Sequence, residues 1–238
     1  SRDLNPDVPV IAPGGAYTKA NYTKDESREE VRQAIYLLSH HPQAFAIDYP
    51  IQMDRIESPD DSRFKTSYVA VSSAPTLPLT ELLDRNVGES FWDKATWDHF
   101  TRAPGSKSKS TTQKYLAANS SFADPILDEY NEDLRYLLFA QLVTADAETP
   151  LEKVYVITQY LSQKTIYTRK PGHSIDGSAD PVAPYLFADP MRGYCVHFAH
   201  AAVYLFRLLD IPARIATGYA TDLNYAKDGH ILLHLGDR

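Results

Sequence analysis

The sequence holds one thiol, Cys195, and the residues around it have the types and spacing of a covalent catalyst. Gly193 and Tyr194 precede it. Phe198, Ala199, Ala202, Tyr204, Leu205 and Leu208 follow at helical spacing until Asp210, Ile211 and Pro212 end the run. The pattern predicts a helix from Cys195 to Leu209, with the cysteine in its first turn and a glycine just before it that lets the backbone bend sharply. In a first turn, unpaired amides and the positive end of the helix dipole favour a thiolate. The same amides can stabilise the oxyanion of a tetrahedral intermediate, so one turn supplies both attack and charge stabilisation. A buried structural thiol can occupy the same place, and position alone leaves both readings open.

Histidines are the natural partners of such a thiol. His197 and His200 lie three apart on the predicted helix, and His230 and His234 lie four apart on a predicted strand, where they share a face. Either pair has the spacing of two metal ligands. No third carboxylate or thiol stands at ligand spacing, so no metal is expected. His197 follows Cys195 by two residues and points to another part of the helix, a poor place for a general base; His230 is the best internal substitute. Tyr194 and Tyr219 are candidates to line the cleft, since a phenol near the thiolate can donate to an oxyanion. Arg214 is read as structural, an ion pair tying strand to helix.

These residues need elements to hold them. Thr149, Pro150 and Glu152 begin a helix with Val154, Ile157, Tyr160 and Leu161 inward and Tyr167 in an extended exit. Before it, Asp124 and Pro125 start a helix whose stripe is Ile126, Leu127, Tyr130, Leu134, Leu137, Leu138 and Leu142. Residues 169–192 form a long connector rich in Pro and Gly that delivers the chain to the cysteine. Ala213–Tyr219 (ARIATGY) reads as a buried strand, Asp222–Gly229 as a turn and His230–Leu235 (HILLHL) as a second strand.

Towards the N-terminus, residues 1–24 read as an extended arm. Ser27 and Glu30 resemble the cap of a helix carrying Val31, Ala34, Ile35 and Leu38, closed by His40, His41 and Pro42. That histidine pair reads as a helix C-terminal cap rather than as metal ligands. Tyr68–Val71 is β-like, Leu79–Leu83 is short and amphipathic, Trp92 and Trp97 share one segment, and the Ser, Thr and Lys-rich stretch between Thr101 and Gln113 reads as an exposed loop.

With 238 residues, 43% of them hydrophobic and 23% charged, the chain can bury one large core or two smaller ones. A net charge of −7 argues against nucleic acid held through a general field. Sixteen tyrosines against two methionines predict an aromatic-rich core. One cysteine excludes an intrachain disulfide, and no apolar run reaches the roughly 18 residues of a membrane span. No charged-then-apolar leader opens the chain, and its start at Ser1 is read as the mark of a processed product or an excised piece.

GYCVHFA at Gly193–Ala199, an apolar helix, and then IPARIATGY at Ile211–Tyr219 resemble the core of the bacterial transglutaminase-like superfamily. PYLF at Pro184–Phe187 and the Tyr167-Thr168 exit resemble its lead-in. The resemblance implies an α+β, papain-like domain over residues 121–238, with the nucleophile helix packed on an antiparallel sheet. A mixed α/β region, residues 1–120, precedes it. It further implies acyl transfer, or amide or peptide hydrolysis, through a thioester on Cys195, with a protein or peptide substrate and no cofactor. In bacteria the resemblance more often accompanies an exported or membrane-tethered protein than a calcium-dependent crosslinker, which leaves localisation open, with any tether here expected outside the chain. The family triad adds a His in an H-A-W element and an Asp, both on strands after the one resembling His230–Leu235. No H-A-W occurs before Arg238, so both are expected beyond it, and the chain alone would hold half a catalytic site. Two other readings remain: a non-catalytic binding domain of the same fold, or a zinc-dependent hydrolase using Cys195 and histidines as ligands.

Overall fold

Thr66–Pro75 carries Tyr68, Val69 and Val71, residues that fit a pleated, half-buried surface, and it forms the central strand of a three-stranded antiparallel sheet. The structure is a computed structural model and describes residues 27–41, 44–47, 50–88, 92–103, 132–172, 182–219, 224 and 226–233. The chain divides into two compact units, Ser1–Pro78 with Thr217–Arg238, and Leu79–Ala216. The predicted arm at 1–24, Asp124 and Pro125 with the start of their helix, and the Ser, Thr and Lys-rich run from 105 to 113 lie outside the described residues.

In the first unit, β1 (Arg28–Leu37) and β2 (Pro50–Arg55) flank β3 (Thr66–Pro75) in the order β1-β3-β2, both antiparallel to it. Met53, Tyr68 and Ala70 make the buried cluster, with Ile35, Leu37, Ala44 and Ala46 packed on it. The hydroxyl of Tyr68 accepts from the Phe45 amide at 2.6 Å and donates to the Phe45 carbonyl at 3.0 Å, clamping that segment on the sheet. Burial raises the pKa of this phenol, so it stays protonated.

The helix expected after Ser27 is strand β1, paired along its length from Arg28 opposite Pro75 to Leu37 opposite Thr66. Val31 and Ile35 are four apart, which places them on one face of either a helix or a strand, so they could not discriminate between the two. The ten-residue ladder on β3 decided the matter. Ser27 is no cap: its carbonyl accepts from the Thr76 amide at 2.8 Å. His41 does not cap a helix either, and its ring packs at a tilt 4.4 Å from that of Phe45.

The second unit is helical: α1 (Lys94–Thr101), α2 (Glu132–Val143), α3 (Pro150–Lys164), the single turn α4 (Ala183–Leu186) and α5 (Cys195–Leu208). Two short strands, β4 (Ile166–Tyr167) and β5 (Arg192–Gly193), pair in parallel. The core joins Tyr136 and Ala140 of α2, Ile157 and Leu161 of α3, Tyr185 and Leu186 of α4, and Ala201, Ala202 and Leu205 of α5. Among the described residues α1, α2, α3, α4 and β5 all pack on α5, and the antiparallel sheet is built from residues 28–75. Mixed helix and antiparallel sheet make the chain α+β. Thr149 caps α3 as expected: Glu152 N–H donates to its hydroxyl, and the Glu152 carboxylate accepts from the Thr149 amide at 2.8 Å. Leu142, assigned to the inward stripe of α2, is 76% exposed, because Tyr136 and Ala140 face the core in its stead.

Neither predicted strand after α5 is a strand among the described residues. Residues 213–219 have no ladder, and residues 230–233 contribute one isolated bridge, Lys227 to His230, around a turn. A strand needs a neighbour for its backbone groups, and no described segment pairs with these.

Candidate active site

Cys195 is the first residue of α5, and its side chain is exposed. The first intrahelical bond runs from the Phe198 amide to the Tyr194 carbonyl at 3.2 Å, so the amides of Cys195, Val196 and His197 precede the helical ladder. Tyr194 is the N-cap, with φ −131° and ψ −176°, and its backbone N–H donates to Nδ1 of His197 at 3.4 Å. That bond makes Nδ1 an acceptor and puts the proton of the neutral ring on Nε2. His197 is buried, with its ring 4.5 Å from that of Tyr194 and 5.7 Å from that of Tyr185. The ring therefore works as part of the helix start, on the inner side of a turn whose outer side carries the thiol.

Gly193 is explained by space. A Cβ there would stand 2.9 Å from Cδ2 and Cε2 of Tyr185 and 2.9 Å from Cβ of His197. Its φ is not in the left-handed region, so the sharp bend inferred from the sequence is not what demands glycine; a close approach of backbone to an aromatic ring is. The ring belongs to Tyr185, fully buried in α4, whose hydroxyl is 2.6 Å from Oγ1 of Thr165 at the C-cap of α3. From Thr165 the chain continues into β4. The Ile166 amide donates to the Met191 carbonyl and the Thr168 amide to the Gly193 carbonyl, both at 2.8 Å.

The far end of α5 is fixed as firmly. Asp210 adopts a positive φ of 64°, its amide donating to Arg207 O, while the Ile211 amide reaches back to Phe206 O at 2.9 Å, a Schellman close with Ile211 buried. Arg207 then straps the IPAR stretch. Its Nε and Nη2 donate to the Ala213 carbonyl at 2.9 and 2.7 Å, and its Nη1 donates to the Arg102 carbonyl at 2.9 Å. Partial burial lowers the pKa of this guanidinium from its usual value.

The residues singled out from the sequence fall in both units. Cys195, Tyr194, His197 and Arg214 lie in the second, and Tyr219 and His230 in the first. Arg214 is exposed. Tyr219 packs edge-on against Phe45 at 5.3 Å. His230 is exposed, with Nδ1 donating to the Asp228 carbonyl at 2.7 Å, and His200 is exposed with Nδ1 donating to Val196 O at 2.8 Å. His234 lies outside the described residues. Among the described residues no cluster of three or more His, Cys, Asp or Glu could hold a metal, and no helix is long and apolar enough to cross a membrane. An open recess of about 500 Å³, lined by Arg55, Phe64, Lys65 and Ser67 among others, belongs to the first unit and includes none of the α5 residues.

A lone cysteine opening a helix, ringed by a small residue, an aromatic N-cap and an apolar inner face, gains its meaning from comparison. Residues 138–235 match the family model of the transglutaminase-like superfamily. The match covers less than half of the chain. No curated protein and no solved structure matches the chain. The transglutaminase-like segment contains α3, β4, α4, β5 and α5 whole, together with the second half of α2. The superfamily is typically a cysteine-based enzyme fold, and in this chain the cysteine stands where a helix start can act on it. Sequence reasoning missed Thr165, Tyr185 and Arg207. The signal for Tyr185 was a large aromatic inside PYLF, and for Arg207 a basic residue in the last turn of α5 just ahead of the IPAR stretch.

Proposed function

We propose that Cys195 is the nucleophile of an acyl-transfer or amide-hydrolysis reaction on a protein or peptide carboxamide. The thiolate attacks the carbonyl carbon, and the oxyanion of the tetrahedral adduct is met by amides of the first turn of α5. Collapse breaks the C–N bond, the departing amine takes a proton, and a thioester on Cys195 remains. Water or a second amine then attacks the thioester and restores the thiol. The proton is carried by a histidine oriented by an aspartate. Both are implied by the family resemblance alone.

The observation that carries this reading is an exposed thiol on the first residue of a helix whose opposite face is buried in the core. The test is the rate of Cys195 alkylation against pH. A thiol that titrates clearly below the free-cysteine value of about 8.5 is the expected result. Titration at that value, with no acyl-enzyme mass on incubation with an amide substrate, would replace it by a non-catalytic binding domain of the same fold.

A further inference from the structure

A nucleophile at a helix start is only as well placed as the chain that leads into the helix. Here the lead-in is β5, two residues long, which cannot hold its own position: a pair of such strands has too few backbone bonds to be stable alone. It leans on three things. One is β4, through the bonds from Ile166 N–H to Met191 O and from Thr168 N–H to Gly193 O. The second is the ring of Tyr185, pressed against Gly193 so closely that a Cβ would not fit. The third is the start of α5, where His197 takes the Tyr194 amide.

Two of these supports converge on Thr165. Its amide donates to Leu161 O at 3.0 Å, making it the C-cap of α3; its successor Ile166 begins β4; and its hydroxyl meets the Tyr185 hydroxyl at 2.6 Å. Phenylalanine would fill the volume of Tyr185 in the core equally well. The hydroxyl is the one atom not explained by packing, and burying it is unfavourable unless it is bonded. Its effect is to register α4, and with it the ring under Gly193, against the end of α3.

We infer that the Thr165–Tyr185 hydrogen bond is a latch that positions the Gly193-Tyr194-Cys195 turn, making Tyr185 and Thr165 positioning residues for the thiol. Its catalytic consequence rests on the reading of Cys195 as a nucleophile; its structural part does not. Burial raises the pKa of Tyr185, so the phenol keeps its proton and the latch is insensitive to pH through the neutral range.

The experiment compares Tyr185→Phe, Thr165→Val, Thr165→Ser and the double variant Tyr185→Phe/Thr165→Val by amide hydrogen exchange and by Cys195 alkylation. Tyr185→Phe and Thr165→Val should each speed exchange at Ile166, Thr168 and Tyr194, the bonded amides around the turn, about fivefold, the population change that follows loss of one ordinary hydrogen bond. The double variant should do no more than either alone, since both remove the same bond. Thr165→Ser, which keeps the hydroxyl, should match the parent. The pH inflection of alkylation should move towards the free-thiol value in Tyr185→Phe and Thr165→Val and stay in place in Thr165→Ser. Unchanged exchange at these three amides, or a rise spread evenly over α3 and α5, overturns the latch. Faster exchange confined to the turn, in a protein whose parent thiol titrates as ordinary cysteine, upholds the latch and removes the nucleophile reading.

Discussion

Two stretches that each carry apolar runs end in opposite circumstances. Cys195–Leu208 is a helix with Ala201 and Leu205 fully buried, closed at both ends by hydrogen bonds. Residues 213–235 read from the sequence as a buried strand, a turn and a second strand, yet Ile215, Leu232 and Leu233 are exposed, Leu232 by 65%, and one bridge is all the strand pairing the described residues of this stretch show. The difference lies in where backbone groups find partners. A helix satisfies its own amides and needs the rest of the protein only for its apolar face. A strand satisfies nothing by itself and is realised only when a neighbour lies alongside. Apolar composition marks both stretches as candidates for burial; it realises only the one that can fold locally.

Substitutions at each end of this comparison can break it. The largest effect is expected from Leu205→Ala, which empties a fully buried site among α2, α3 and α4 and should cost about 3 kcal/mol in chemical denaturation. Gly193→Ala places a methyl 2.9 Å from Tyr185 and His197 and should cost about 2 kcal/mol, with slower Cys195 alkylation as the turn is pushed outward. Arg207→Ala removes three donors from the carbonyls of Ala213 and Arg102; about 1.5 kcal/mol is expected, with faster amide exchange concentrated at residues 211–213.

Thr149→Ala opens the capping box of α3 and should cost about 1 kcal/mol. The reciprocal partner, Glu152, adds a pH signature. Bonds from the Thr149 and Glu148 amides hold its carboxyl below the usual range, so its contribution is full above the ordinary carboxylate pKa and is lost as pH falls through the lowered folded value. Urea midpoints of the parent and Glu152→Gln should therefore differ at pH 7 and converge in acid.

The smallest effect, under about 0.5 kcal/mol, is expected for Leu232→Ser, because that side chain is already in water. Should Leu232→Ser destabilise as strongly as Leu205→Ala, the segment is buried against something and the contrast drawn above is wrong.

The legible parts of the fold share a property. The Thr149 cap, the Cys195 helix, its stop at Asp210 and Ile211, and the strand character of Tyr68–Val71 are all encoded within a few residues of where they act. The miss at Arg28–Leu37 has the opposite character. Val31 and Ile35 satisfy both periods, and the ladder on β3, joining residues as far apart as Arg28 and Pro75, chose between them. Arg207 and Tyr185 were illegible for a related reason: a helical arginine and a core tyrosine look alike whether or not their polar atoms meet a carbonyl or a threonine far along the chain.

By itself, the sequence determined the identity of the thiol, its place on the first turn of a helix and the family motif around it, because a helix start is specified by residues next to one another. Only the tertiary structure decided why Gly193 must be glycine, which inner ring supports the turn and what ties the IPAR stretch to α5. Each of these depends on an approach between segments: Gly193 to Tyr185, Tyr185 to Thr165, Arg207 to Ala213 and Arg102. Such approaches carry no local signature, since the partner is selected by packing of the whole unit.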